Sequence, residues 1–239
     1  MPFVILMSVI PVVLLALFVY NKDTVKEPKS LLITMFVSGL LAAVVVLGIN
    51  IVLSTIIPNF YVTDNVDHYS FYKLFSVIFL EIAFVEEFCK WVMIRLLGYN
   101  NKNNDQSYDI IVYSVFVALG FALIENIFYL MSNPTSVSLG IYRAVFSIPS
   151  HASFGVFMGS FLGLARAYEK NDKHLSKVYM FYAVLVPTLL HTTYNFCLLA
   201  NSSWFFIVFV TFVVILYVLS IIKINMIAKK DKDNYIEQL

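Results

Sequence analysis

Residues 30–57 read SLLITMFVSGLLAAVVVLGINIVLSTII and contain no Asp, Glu, Lys, Arg, His or Pro. About 20 predominantly apolar residues suffice to cross the hydrocarbon core of a bilayer as a helix. The stretch is continuously apolar, without the alternation of a membrane-spanning strand, so its backbone groups can be satisfied in lipid only inside a helix. Working outward, six further segments meet the same test: roughly 3–20, 73–97, 109–131, 140–168, 178–199 and 204–227. The sequence predicts an all-α, polytopic transmembrane bundle of about seven spans, with residues 1–239 as one membrane-embedded domain. The first segment, within MPFVILMSVIPVVLLALFVYN, lacks a basic leader and an A-x-A cleavage pattern, so it reads as a retained span rather than a signal peptide.

Composition supports this reading. The chain of 239 residues is 60% hydrophobic and 13% charged, with a mean hydropathy of +0.83. A soluble domain carries roughly 25% charged residues to cover its surface, so the excess apolar surface belongs against lipid. A net charge of +1, with no basic run in a soluble module, gives no footprint for nucleic acid. The two cysteines, Cys89 and Cys197, lie in apolar segments and read as small packing residues. His68 and His174 read as loop residues.

Basic residues assign an orientation. Lys22, Lys26, Lys29, Arg95, Lys102, Arg166, Lys170, Lys173, Lys177, Lys223, Lys229, Lys230 and Lys232 flank the first, third and fifth connections or the C-terminal end, thirteen of the sixteen in the chain. The opposite side has Lys73 and Arg143. Positive residues stay cytoplasmic, so the expectation is a multi-pass cell-membrane protein with its N-terminus outside and its C-terminus inside.

Ionisable residues within a span are costly, at about 2.5–3.5 kcal/mol on insertion scales, and mark function by default. Four consecutive segments carry them. The third holds Glu81, Glu86, Glu87 and Lys90; the fourth Glu125 and Asn126; the fifth Arg143 and His151; the sixth His191 and Asn195. This places a catalytic core at about 75–200, with the remaining spans as scaffold. Positions three or four apart share a helix face. Glu86 and Lys90 stand i,i+4 with the acid first, the better order for an ion pair, and Glu87 stands i,i+3 from the same lysine. One lysine cannot neutralise both carboxylates equally, so one glutamate stays ionised and the other shares a proton, an arrangement suited to acid–base work. Glu81 lies on another face. His191 and Asn195, at i,i+4, aim at one point. His151, Gly155, Gly159 and Gly163 form a stripe along which another helix can approach closely, and Pro149 is expected to kink the helix and free a carbonyl near the site. Depths of about 9 to 20 Å from the outer span ends are compatible with one polar cavity open to the outside. Glu125 has two open readings, a catalytic part or simple pairing with Arg143.

At these residues the sequence resembles the PrsW family of intramembrane proteases, within the wider superfamily of CAAX-prenyl-protease-like membrane proteins. The likeness rests on Glu86-Glu87-Phe88-Cys89-Lys90, Phe121 to Glu125-Asn126, Pro149 to His151, and His191 to Asn195, over about 75–200. Asn195 stands where relatives carry Asp. The resemblance implies a multi-helix bundle, glutamate-type peptide hydrolysis and a membrane-protein substrate. The family's named example makes the first cut in a membrane-anchored anti-sigma factor and so releases a stress response, and related proteins cleave prenylated tails or act in bacteriocin immunity.

The resulting expectation is an intramembrane endopeptidase acting on a single-pass membrane protein such as an anti-sigma factor, with no cofactor. Glu86 serves as general base, His151 helps to hold the water, and Glu87 and Lys90 set its charge. His191 and Asn195 donate to the oxyanion, and Glu125 orients or relays a proton, with Asn126 and Arg143 tuning the charge. Glu86 and Glu87 remain interchangeable at this stage. A zinc hydrolase using His151, His191 and Glu86 is the alternative within the enzyme class; a proton-linked transporter and a non-catalytic immunity or scaffold protein are alternatives outside it. Oligomeric state cannot be read from the chain.

Overall fold

The apolar segments fold as helices in the predicted order. The computed structural model describes residues 2–56, 69–133, 136–200 and 203–237, and among these it holds seven continuous helices. α1 spans Pro2–Lys22 and α2 Lys29–Ile56. α3 joins Phe71–Val77, a π-helical turn Ile78–Ala83, and Phe84–Leu97. α4 spans Asp109–Ser132. α5 covers Val137–Tyr168 and contains a second π-helical turn at Arg143–Ser147. α6 spans Lys173–Leu199 and α7 Ser203–Glu237. Most of the connection expected at 58–72, His68 included, lies outside the described residues.

Local chemistry sets the helix ends. Ser70, Ser136 and Asp172 accept from the backbone N–H of Lys73, Leu139 and Leu175, capping α3, α5 and α6. The cap at Asp172 starts α6 five residues before the apolar run begins, and it places His174 in the first helical turn rather than in a loop. α7 runs ten residues past the predicted end at 227, through KKDKDNYIE. Charge there ends the apolar run without ending the helix. The Asp231 carboxylate accepts the Tyr108 N–H at 2.7 Å and ties this extension to the connection between α3 and α4.

α4 is the central helix, buried along most of its length, with α2 and α5 packed on it and α1 alongside. Lipid tails are as apolar as leucine, so close van der Waals packing through small residues must hold such helices together. Gly39 of α2 lies against the Val117 carbonyl, and Gly120 of α4 against the Phe36 carbonyl, so the two backbones cross in contact. The stripe on α5 packs on α4 in the same way: a Cβ on Gly159 would lie 2.6 Å from Ile111 Cα. Large apolar side chains of α2 and α7, among them Ile33, Leu41, Ile51, Ile207, Ile215 and Ile222, point outward. In length and composition, Lys29–Ile56, Asp109–Ser132, Val137–Tyr168 and Trp204–Glu237 are apolar enough to cross a membrane. The protein is a multi-pass membrane bundle.

The connections α1–α2, α3–α4 and α5–α6 meet at one end with the extension of α7. Tyr108 donates to the Val19 carbonyl at 3.1 Å, Tyr113 to Glu27 at 2.7 Å, and Arg166 to the Tyr99 carbonyl. The lysine-rich connections of the sequence are thus one basic end of the bundle.

Candidate active site

Four helices deliver the ionisable residues to one buried cluster, and local breaks in two of them aim the side chains. In α3 the π-helical turn ends at Ala83, three residues before Glu86. In α5 the second ends at Ser147, four residues before His151. A π turn inserts a residue into the helical register and commonly accompanies functional sites. Pro149 explains the break in α5. It lacks the N–H that would bond the Val145 carbonyl four residues back. The freed carbonyl is not left at the site: the Tyr217 hydroxyl of α7 takes it at 3.1 Å, shared with the Phe146 carbonyl at 2.9 Å.

Lys90 is the hub of the cluster. It is 1% exposed, its Nζ lies 2.7 Å from Glu87 Oε1 and donates to it, and it lies 3.0 Å from His151 Nδ1 and 3.9 Å from Glu86 Oε2. The Phe121 ring sits beneath it at 4.1 Å. An ammonium has only donors, so His151 Nδ1 accepts, and its Nε2–H donates to Glu125 Oε2 at 2.8 Å. His151 is therefore a neutral imidazole with both nitrogens engaged. His191 gives Nδ1–H to Glu87 Oε1 at 3.1 Å, while Phe154 stacks on its ring.

The two motif glutamates are thereby distinguished. Glu87 is fully buried and held by Lys90 and His191. Glu86 Oε2 lies 3.9 Å from Lys90 Nζ and from His191 Nδ1, and it is buried with no hydrogen-bond partner. Sequence spacing favoured the Glu86–Lys90 pair; the structure turns Lys90 toward Glu87, where it also meets His151 from α5.

The pairing reading of Glu125 holds, and the residue also joins the cluster. It pairs with Arg143 at 3.3 Å while accepting from His151. Arg143 also donates through Nε to Asn126 Oδ1 at 2.5 Å and lies over the Tyr129 ring. Asn195 is half-buried, and its amide bonds no described residue. Glu81 sits in the π turn of α3, half-buried, with Oε2 unpartnered and away from the cluster's bonds.

The expected polar cavity differs from the one found. The cluster is packed, and beside it a cavity of about 240 Å³ runs between α2, α3 and α4. Ala43, Val46, Ile82, Phe121 and Ile124 make its lining mostly apolar, with Asn50, Glu86 and Glu125 as polar points. Two contributors escaped the sequence reading, and a third, Phe121, stood there only as part of the family likeness. Asn50 of α2 faces this cavity with a buried, unpartnered Oδ1. Ser8 of α1 accepts from Asn126 Nδ2 at 3.1 Å, so the first helix reaches the site. Phe121 carries Lys90, and its place one turn before Glu125 was a usable signal.

Comparison with known proteins follows this geometry. A family profile described as PrsW family intramembrane metalloprotease matches residues 27–221. A protein named Protease PrsW from Oceanobacillus iheyensis is 34% identical over 218 residues, covering 91% of this chain and 93% of its own length. Its namesake from Clostridioides difficile is 34% identical over 223 residues, covering 92% and 89%. The one from Bacillus subtilis is 34% identical over 200 residues, covering 83% and 84%. No solved structure matches the chain.

Proposed function

Because the chain belongs to the PrsW family of intramembrane proteases, we propose that it is a cell-membrane endopeptidase that cuts a single-pass membrane protein, such as an anti-sigma factor, with a glutamate-activated water. The observation that carries this reading is Glu86 Oε2, a buried carboxylate oxygen without a donor, on the wall of a cavity between helices. Water placed there gives its proton to Glu86 as it attacks the peptide carbonyl, and Glu86 returns that proton to the leaving amine as the C–N bond breaks. Glu87 Oε2 is unpartnered too, but Glu87 is tied by Lys90 and His191 at Oε1 and, unlike Glu86, does not line the cavity. Lys90, 3.9 Å away, steadies the charge on Glu86. With Nδ1–H given to Glu87, His191 turns Nε2 to the substrate; carrying a proton, it donates to the oxyanion together with the Asn195 amide. His151 holds Lys90 and Glu125 in line rather than holding the water itself, and Glu125, anchored by Arg143, relays a proton through it. The basic end faces the cytoplasm. Family membership supports a peptidase over the transporter and immunity readings.

The family description also implies a metal, and the donors suit one. Glu86, Glu87, His151 and His191 each offer a ligand atom within 4.8 Å of the others, and Glu86 Oε2 and Glu87 Oε2 have no other partner. Two imidazoles and two carboxylates match a zinc-type set, and a bound ion there supplies Lewis acidity to the substrate carbonyl and to water. The glutamate reading is favoured by Lys90: its ammonium already bonds Glu87 and His151, and a divalent ion on those atoms must displace it. The test is reconstitution of purified protein in liposomes with single-pass anti-sigma-factor-type proteins. Wild type should cut within or beside the membrane segment and Glu86→Gln should not; equal cleavage by both removes the assignment.

A further inference from the structure

At the basic end, far along α4 from the catalytic cluster, three acids from two separate parts of the chain are buried together. Asp23 and Glu27 come from the turn between α1 and α2, and Asp109 from the first turn of α4. They are 4%, 5% and 1% exposed, and one carboxylate oxygen from each lies within 4.8 Å of the others.

Their bonds leave oxygens over. Asp109 Oδ2 accepts the N–H groups of Asp105 and Gln106 at 2.9 and 2.7 Å, which leaves Oδ1 without a partner. Glu27 Oε2 accepts from the Tyr113 hydroxyl. Asp23 is the strongest indication. The amides of Thr24, Val25 and Glu27 face its carboxylate, yet neither oxygen closes a hydrogen bond.

No described cation forms an ion pair with the group, although the charge of Lys26 acts on Asp23. Lys26 is the nearest, and its Nζ donates to the backbone carbonyls of Tyr20 and Asp23, both at 2.6 Å, over the Tyr20 ring. Lys22 lies over the Phe18 ring and Lys29 is exposed. The other titratable groups facing the cluster, Asp105, Tyr108 and Tyr113, add no positive charge. Burial pushes the Asp23 carboxyl up to about 6 and raises that of Glu27. Three buried carboxylates this close need a counter-charge or protons.

We propose that Asp23, Glu27 and Asp109 bind a divalent cation of the oxygen-preferring class, Ca²⁺ by its acceptance of protein ligands, that fastens the α1–α2 turn to the start of α4. The burial of all three acids supports this choice. Ca²⁺ takes about six to eight oxygens in flexible geometry, whereas Mg²⁺ dehydrates reluctantly, keeps several waters and suits a dry carboxylate cage poorly. The donors are hard carboxylates with no imidazole or thiolate among them, unlike the catalytic cluster. A cavity of about 450 Å³ lined by Val25, Asp105, Gln106, Ser107 and Asp231 lies at the same end of the bundle, and its two carboxylates add negative charge there. The ion would brace α1, whose Ser8 holds Asn126 at the other end of the bundle.

The test uses the full chain in detergent micelles, stripped with a chelator and melted by tryptophan fluorescence against CaCl₂, MgCl₂ or KCl at matched ionic strength, with equilibrium dialysis of Ca²⁺ alongside. A saturable rise in Tm with Ca²⁺, weaker with Mg²⁺ and absent with K⁺, is expected. Loss of an outer-shell group already weakens a metal site about 10- to 100-fold, so Asp23→Asn or Asp109→Asn should weaken Ca²⁺ binding at least that much. If Asp109→Asn fails to fold, Asp23→Asn carries the test, since its carboxylate bonds nothing else. Glu86→Gln/His191→Ala should keep the full rise, which separates this site from the catalytic cluster. The proposal falls if wild type ignores Ca²⁺, if Asp23→Asn binds as wild type does, if the catalytic double variant loses the rise, or if acid alone raises Tm and the cation adds nothing.

Discussion

Replacing Lys90 with methionine keeps the length of the side chain and removes the charge on which the cluster is built. At an effective dielectric of about 20, unit charges at the 2.7 Å of Lys90–Glu87 attract by about 6 kcal/mol, and at the 3.9 Å of Lys90–Glu86 by about 4 kcal/mol, before desolvation is counted. Desolvation absorbs much of this. Removing one partner of a buried pair nevertheless costs about 3–5 kcal/mol, because the other charge is left uncompensated. His151 Nδ1 loses its donor as well. Lys90→Met should therefore destabilise the protein by about that amount and abolish cleavage. Lys90→Met/Glu87→Gln, which removes both charges, should recover most of the stability and none of the activity. Unfolding in mixed SDS micelles, followed by Trp91 fluorescence, gives the free energies of all four members of the cycle. A single variant as stable as wild type, or a double variant no more stable than the single, would refute the electrostatic account of the cluster.

Three other outcomes follow from the packing and from the basic end. Gly159→Leu drives a Cβ to 2.6 Å from Ile111 Cα and should cost at least about 1–3 kcal/mol, while Gly48→Leu, with nothing within 4 Å, should leave stability unchanged in the same assay. Tyr217→Phe strips the Val145 and Phe146 carbonyls of their donor and should cost about 1–3 kcal/mol in the same unfolding assay. Chelator-stripped protein should lose stability as pH rises from about 4 through about 6: the folded Asp23 carboxyl is raised above its ordinary value of 3.8, so the fold binds the extra proton and its contribution is lost on deprotonation. Melts across that range should slope downward in wild type and less steeply in Asp23→Asn, where Glu27 keeps a part of the slope.

The seven helices were legible because uninterrupted apolar runs leave the backbone no alternative to a helix in lipid. Their ends were less so, since Asp172 and Asp231 act through hydrogen bonds that composition does not register. Glu86, Glu87, Lys90, Glu125, His151 and His191 stood out in sequence because charge within a span is rare. Their pairing did not, because helical spacing considers one helix at a time, and His151 on α5 decides where Lys90 turns. Asn50 and Ser8 are small polar residues of a kind that apolar helices tolerate widely, and only the cavity and Asn126 give them roles. Nothing in the sequence singles out Asp23, Glu27 and Asp109, with 86 positions separating the first from the last, until the fold brings one carboxylate oxygen of each within 4.8 Å of the others.

The glutamate at the centre of the site is tested most directly by measuring bound metal and cleavage on the same preparations. After chelation and removal of the chelator, metal-free wild type should still cut its single-pass substrate at the untreated rate, and Glu86→Gln should not cut it with or without added zinc. Stoichiometric zinc that leaves on chelation or with His191→Ala, and whose return restores cleavage, would contradict the account and transfer the chemistry to a metal held by Glu86, Glu87, His151 and His191.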